Sequence, residues 1–97
     1  MVARQLALDT TVVVSPDQVS SEVGEEAVIL GLSRGRYYGL NEVGLFIWRL
    51  LQTPRRLSEI CDQVVAAYQV DRERAEADVL DLVGRLVEEG LVQPRAA

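Results

Sequence analysis

Residues 35–51 read GRYYGLNEVGLFIWRLL, and this stretch decides the fold. The glycine at its start follows an arginine and indicates a hairpin-type turn. Tyr37, Tyr38 and Leu40 are typical of a half-buried β-strand. Asn41 is a favourable helix N-cap, and apolar residues then recur at helical spacing to the end of the stretch. The stretch therefore predicts a turn, a strand and a helix with no loop between them.

The sequence before this stretch predicts further strands. β-Branched residues at 11–14 indicate a short strand or an extended lead-in. Residues 19–23 and the nearly continuous apolar run 27–32 predict two more strands, with a turn at 24–26 between them. With residues 36–40 as the last strand, the expected arrangement is a three-stranded antiparallel meander.

After the meander the pattern is helical. The first helix is expected at about 42–52 and is ended by Pro54, which lacks a backbone donor. The second is expected at about 57–68. The third is expected at about 72–89, followed by Gly90 as a left-handed C-cap candidate. The sequence therefore predicts an α+β, winged helix-turn-helix-like fold.

A chain of 97 residues predicts one domain with a modest core. We expect that core at about residues 19–92, with residues 1–10 and 93–97 held loosely. No apolar run approaches the roughly 18 residues that cross a bilayer, and the N-terminus does not resemble a signal peptide. A lone cysteine cannot form an internal disulfide, so we expect a cytoplasmic protein.

The composition leaves few groups for catalysis. The sequence contains no His and no Lys, and its one cysteine, Cys61, lies on the apolar face of the second predicted helix. A cysteine nucleophile needs an activating base or another cause of a lowered pKa. Zinc sites draw on several Cys or His residues, and the chain has no Gly-rich phosphate loop. We therefore expect no enzyme activity, no metal and no cofactor.

The winged-helix prediction raises one alternative, a small DNA-binding transcription regulator. The formal net charge is −5, whereas a nucleic-acid binder needs a basic face. The third predicted helix carries acidic residues at most of its exposed positions, namely Glu73, Glu76, Asp81, Glu88 and Glu89. Acidic side chains repel phosphates, so the sequence disfavours nucleic acid as a partner.

The last predicted strand, residues 36–40, is expected at the edge of the meander. An edge strand has unpaired N–H and C=O groups, to which a peptide can add as a further strand. Alternation directs Tyr38 and Leu40 toward the core and Tyr37 toward solvent, and Gly39 lets another backbone approach closely. The alternative is that the tyrosines only cover the core. The candidate peptide-contacting residues on this strand are Arg36, Tyr37, Tyr38, Gly39 and Leu40.

The third predicted helix has an apolar arc of roughly 160°, which is wider than one buried face requires. One interpretation is that the whole arc packs into the core. The other is that one flank forms the wall of a binding groove. The candidate wall residues are Ala75, Val79 and Leu82, bordered by Arg74, Asp78 and Arg85.

A family resemblance is carried by the motif RYYGLN at 36–41, followed by Gly44 and the apolar pairs at 47–48 and 50–51. This pattern resembles the PqqD-like family, also called RiPP recognition elements. The supporting segments are residues 28–32, 68–71, 78–79 and 89–92. The resemblance extends from about residue 19 to residue 92. Within the family, the chain is most similar to the stand-alone proteins of split lasso-peptide systems.

The resemblance implies a non-catalytic protein that binds the leader segment of a ribosomally made precursor peptide. The implied site is a groove between the last meander strand and the third helix. The implied partners are the precursor leader peptide, a cysteine-protease-like leader peptidase and an ATP-dependent cyclase resembling asparagine synthetase. A further alternative is a PqqD-like carrier for a radical enzyme of another peptide class.

Overall fold

The computed structural model describes residues 6–95 of the chain. Its elements are, in chain order, β1 (Thr11–Val14), β2 (Gln18–Val23), β3 (Glu26–Gly31), β4 (Arg36–Leu40), α1 (Glu42–Leu50), β5 (Arg55–Arg56), α2 (Leu57–Tyr68), α3 (Arg72–Glu88) and β6 (Val92–Arg95). The predicted α+β class, the antiparallel meander and the three helices after it are confirmed. Their ends lie within two residues of the predicted ones. No helix within residues 6–95 is long and apolar enough to cross a membrane.

Two small sheets organise the strands. The meander has the order β2-β3-β4, as predicted. The other sheet has the order β5-β1-β6, with β1 at its centre. β1 and β6 pair antiparallel from Thr11 opposite Arg95 to Val14 opposite Val92. This second sheet was not predicted, because β5 has only two residues and β6 contains Pro94, which cannot donate to a ladder.

The meander register sorts its side chains onto two faces. Ser20, Ile29 and Tyr38 are directly opposite one another across the three strands and lie on the inner face. Ile29 on this face is fully buried. Tyr37 lies opposite Leu30 on the outer face and is 73% exposed. The predicted directions of Tyr37 and of the buried Leu40 are therefore confirmed, while Tyr38 is half-buried against the core.

The core lies where the three helices meet the inner face of the meander. Its largest fully buried side chains include Trp48 from α1, Ile60 from α2 and Leu86 from α3. α2 and α3 are also joined at the surface by Arg72, which forms ion pairs with Asp62 and, at 2.8 Å, with Glu76. The three helices thus share one core with the inner face of the meander.

The helix ends follow their local sequence signals. The Asn41 side chain accepts a hydrogen bond from the Gly44 N–H at 2.9 Å, which confirms the predicted N-cap of α1. At the end of α3, Gly90 has φ +77°, and the Leu91 N–H donates to the Leu86 carbonyl at 2.9 Å. This is the left-handed ending predicted for that glycine, since a residue without Cβ adopts it without steric cost.

Residues near both ends of the described chain contact the rest of the domain. Leu6 and Leu8 contact the core, and the Leu8 carbonyl accepts a hydrogen bond from the Ser58 N–H at 2.8 Å. Residues 93–95 belong to β6. The expectation that residues 1–10 and 93–97 are held loosely stays a prediction. Residues 1–5 and 96–97 lie outside the described residues.

Candidate binding groove

A groove of about 380 Å³ lies between β4 and α3, and the start of α1 forms its floor. It brings together six of the residues predicted from the sequence, namely Tyr38, Gly39, Leu40, Asp78, Leu82 and Arg85. Five further residues line it, namely Asn41, Val43, Gly44, Ile47 and Asp81. The groove therefore lies between the two elements that the sequence indicated.

β4 contributes an open edge to this groove. It pairs with β3 on one side, and no strand within residues 6–95 pairs with its other side. A Cβ added to Gly39 would meet no other atom within 4 Å, so the outer face of the strand is open at this position. An extended peptide can therefore lie alongside β4 and use its free backbone groups.

The wall formed by α3 is apolar at one residue and charged around it. Leu82 is half-buried and lines the groove. The exposed Asp81 and Arg85 flank it and form an ion pair at 2.8 Å. One helical turn earlier, Asp78 pairs with Arg74 at 3.5 Å. The charges on the wall thus neutralise one another in pairs, and Leu82 remains as its apolar contact.

Two of the predicted wall residues do not belong to the groove. Ala75 and Val79 are fully buried in the core, so their prediction as an open flank is wrong. The apolar arc of α3 is wide because the helix packs against both α2 and β6. The sequence did not predict β6, the second of these two partners.

Arg36 and Tyr37 occupy the far end and the outer face of β4. The Arg36 guanidinium lies 3.4 Å from the Glu89 carboxylate, and Arg34 donates a hydrogen bond to the Glu88 carbonyl at 2.8 Å. These contacts join the β3–β4 hairpin to the C-terminal end of α3. Tyr37 lies outside the groove, on the exposed face of the meander.

The groove floor from α1 was not predicted, although a signal for it was present. A Cβ on Gly44 would lie 3.1 Å from Leu40 Cδ2 and 3.3 Å from Leu40 Cβ. The missing side chain of Gly44 lets α1 lie close to β4, and Val43 and Ile47 of α1 line the groove. The spacing from the Asn41 cap to this glycine is the available signal for that close approach.

Cys61 takes no part in the groove. It is fully buried on α2, and burial is the main cause that raises the pKa of its thiol. Within residues 6–95, no three His, Cys, Asp or Glu residues are grouped to hold a metal ion. The groove thus offers a ligand an open strand edge, an apolar floor and paired charges.

The sequence model of the family described as coenzyme PQQ synthesis protein D (PqqD) matches residues 26–92, about two thirds of the chain. No curated protein sequence matches the chain significantly. The family match spans β3 to the start of β6 and therefore includes both walls of the groove and its floor.

Three solved structures are similar to this chain. TbiB1 in complex with the TbiA(beta) leader peptide is 38% identical, with a TM-score of 0.79, and the match covers 88% of this chain and 99% of that one. Lasso peptide synthetase B1 complexed with the leader peptide is 25% identical, with a TM-score of 0.75, and the match covers 86% and 98%.

The third is the solution structure of the PqqD truncation of Methylobacterium extorquens PqqCD, a stand-alone RiPP recognition element. It is 15% identical, with a TM-score of 0.76, and the match covers 92% of this chain and 95% of that one. At this identity the likeness shows a shared fold.

Proposed function

The chain belongs to the PqqD family, and from that membership we propose that it is a RiPP recognition element that binds the leader segment of a ribosomally made precursor peptide. The observation that carries the proposal is the open edge of β4 beside a groove of about 380 Å³. Two similar structures, at 38% and 25% identity, were solved with leader peptides bound.

Strand addition explains how this groove takes a peptide. The leader pairs its backbone with β4, and those hydrogen bonds supply affinity that does not depend on sequence. Side chains that point inward from the new strand reach Leu40, Val43 and Leu82. We therefore expect the groove to select leader peptides with apolar residues at alternate positions, because the floor and Leu82 offer apolar contacts.

The role we assign is capture and presentation rather than catalysis. The groove contains carboxylates, a guanidinium and an amide but no nucleophile with an activating base. The leader peptidase and the cyclase would then act on a precursor whose local concentration is raised, because tethering a substrate raises its effective concentration.

The charge pairing on α3 argues against the DNA-binding alternative. Its arginines at 72, 74 and 85 are all engaged with carboxylates of α2 or α3. A helix that enters the major groove needs free donors for bases and phosphates. Together with the net charge of −5, this pairing favours a peptide over a nucleic acid.

The lasso-peptide class is favoured over a carrier for a radical enzyme. Lasso peptide synthetase B1 is 25% identical to this chain, whereas the PqqD structure is 15% identical. We therefore propose a precursor of the lasso class.

A binding experiment tests the proposed function. The leader peptide of the precursor encoded beside this protein is labelled with a fluorophore, and its anisotropy is followed as the protein is added. We expect saturable binding with a Kd on the order of micromolar or tighter. A scrambled peptide of the same composition serves as the control. Equal binding of both peptides, or of neither, contradicts the proposal.

A further inference from the structure

A second cavity, smaller than the groove, lies where the β2–β3 turn meets the helices. Its volume is about 180 Å³, and we call it the side pocket. Glu25 of the turn, Glu42 and Phe46 of α1 and Tyr68 of α2 line it, together with Arg49. α1 separates it from the groove, because the α1 residues that line the two cavities lie on opposite faces of the helix.

One wall of the side pocket is aromatic. The rings of Phe46 and Tyr68 meet edge to face, with their centroids 5.4 Å apart and their planes at 86°. Both side chains are half-buried, so part of their surface remains open. Such a wall offers apolar contacts to the aliphatic part of a ligand, and the face of an aromatic ring attracts a cation.

The other wall of the side pocket is acidic. Glu25 and Glu42 are exposed, and neither forms an ion pair in the part of the chain that the structure describes. Burial is the main cause that raises the pKa of Tyr68, and the charges of Glu42 and Glu25 raise it further. Both carboxylates therefore act on the same region of the pocket, near the Tyr68 hydroxyl.

Arg49 does not neutralise these two carboxylates. Its guanidinium donates two hydrogen bonds to the Glu22 carboxylate, at 2.5 and 3.2 Å. Glu42 also has an ordinary role in the first turn of α1, where its charge favours the helix dipole. That role does not explain why a second unpaired carboxylate, Glu25, and two aromatic rings converge on the same cavity.

The two walls match the two parts of a lysine or arginine side chain. Such a side chain packs its aliphatic stem against apolar surface and extends its charged end to polar groups. In the side pocket the stem would contact the two rings, and the charged end would reach the two carboxylates. An acidic ligand would instead be repelled, so the charge of the pocket selects a basic one.

The side pocket adjoins one end of the groove. Ala27 at the start of β3 lies opposite Leu40 at the end of β4, so the β2–β3 turn and the end of β4 are at the same end of the meander. At this end Asn41 lines the groove, and the next residue, Glu42, lines the side pocket. A peptide strand that pairs with β4 and continues past Leu40 therefore reaches the side pocket with its next residues.

We propose that the side pocket binds a lysine or arginine side chain of the precursor, from the segment that continues past Leu40 when the leader is paired with β4. This inference rests on the proposed function, because it requires a leader strand along β4. The side pocket adds a charge requirement to the apolar selectivity of the groove. A leader with a basic residue in this flanking segment is bound more tightly than one without it.

The test compares two peptides and three proteins. One peptide is the natural leader of the precursor encoded beside this protein, and the other has every lysine and arginine replaced by glutamine. The proteins are wild type, the double variant Glu25→Gln/Glu42→Gln and the control Glu73→Gln/Glu88→Gln. The control removes two exposed carboxylates of α3 that form no ion pair within residues 6–95. Circular dichroism and thermal unfolding check that each variant is folded.

The affinities are measured by calorimetry at low salt, where charge interactions are least screened. We expect Glu25→Gln/Glu42→Gln to weaken binding of the natural leader by about fivefold or more, while the control stays within about twofold of wild type. We expect the neutral peptide to bind wild type as weakly as the natural leader binds Glu25→Gln/Glu42→Gln. Equal weakening of natural-leader binding by both double variants overturns the proposal. So does a natural leader that contains no lysine or arginine.

The same measurements separate this inference from the proposed function. Failure of wild type to bind either peptide contradicts the proposed function and the side-pocket proposal with it. Equal binding of the two peptides by wild type contradicts only the side-pocket proposal. A loss of affinity on replacing the basic residues that is as large in Glu25→Gln/Glu42→Gln as in wild type also contradicts it, because the basic residues then contact another part of the protein.

Discussion

Leu82 and Val83 are neighbours on α3, yet Leu82 lines the groove while Val83 is fully buried. Leu82→Asp should therefore lower leader affinity at least tenfold, about 1.4 kcal/mol, because the carboxylate replaces the apolar contact of the wall. The variant should stay folded, since Leu82 is only half-buried. Fluorescence anisotropy with the labelled leader measures the affinity.

Val83→Asp is the matched control for this prediction. The same charge is here placed in the core without a partner, which should unfold the protein. Urea titrations followed by circular dichroism compare the two variants. Unfolding of Leu82→Asp as complete as that of Val83→Asp would show that this flank of α3 also belongs to the core.

Hydrogen exchange should show where the leader binds. The amides of β4 that point away from β3 exchange with solvent in the free protein, and a peptide strand paired with them should slow that exchange. The other edge of the meander, β2, serves as an internal reference and should not change. Slowing confined to α2 would place the peptide elsewhere.

Two glycines give opposite predictions on substitution by alanine. In Gly44→Ala the new Cβ meets Leu40 at 3.1 and 3.3 Å, so α1 is pushed away from β4. The free energy of unfolding should fall by about 1–3 kcal/mol, and leader binding should weaken because the groove floor moves. Chemical denaturation and anisotropy measure the two effects.

Gly84→Ala is the control for that substitution. The added methyl has no other atom within 4 Å, and the residue lies within α3. Alanine should raise the free energy of unfolding by about 0.5–1 kcal/mol, because glycine loses more backbone freedom than alanine when the chain folds into a helix. A destabilising effect at both positions would show that the contact with Leu40 is not the cause.

The meander and the helices could be predicted because their signals are local. Alternation at 36–40 predicts which residues of β4 face the core, and Asn41 and Gly90 mark helix ends through groups a few residues away. The groove needed only two such elements, β4 and α3, to be placed side by side. The local signals do not place these two elements side by side; that arrangement was an expectation implied by the family resemblance.

The second sheet could not be predicted, because its strands become stable only through long-range pairing. Residues 92–95 pair with residues 11–14 from the opposite end of the chain. Val79 shows the consequence for the site: its apolar character suits a groove wall and a core equally well, and only the three-dimensional neighbours of α3 decide between them. Periodicity identifies the apolar arc but does not say how many partners cover it.

Cys61 should be dispensable for binding. The side chain is fully buried away from the groove, so Cys61→Ala should leave leader affinity unchanged and lower the free energy of unfolding by about 1 kcal/mol. Burial also raises the pKa of the thiol, so native protein should react slowly with a disulfide reagent at pH 8. Fast labelling that does not require unfolding, or loss of binding in a stable variant, would point to a functional thiol.

The ion pair between Glu22 and Arg49 should make stability depend on pH in the acid range. Arg49 joins α1 to β2 through two hydrogen bonds to the Glu22 carboxylate, at 2.5 and 3.2 Å. The hydrogen bond from Arg49 is the main cause that lowers the pKa of Glu22 below its usual 4.5.

A carboxylate whose pKa is lower in the folded protein than in the unfolded chain stabilises the folded state at any pH above its pKa in the unfolded chain. This stabilisation is lost as the pH falls through the pKa of the carboxylate in the folded protein. Glu22→Gln should therefore be less stable than wild type at pH 7, and the difference should shrink as the pH falls below 4.5. Urea midpoints measured across this range check the trend. Glu26→Gln, which removes a carboxylate that forms no ion pair within residues 6–95, is the control. A difference between Glu22→Gln and wild type that stays constant down to pH 3 would mean that Glu22 acts through packing rather than through its charge.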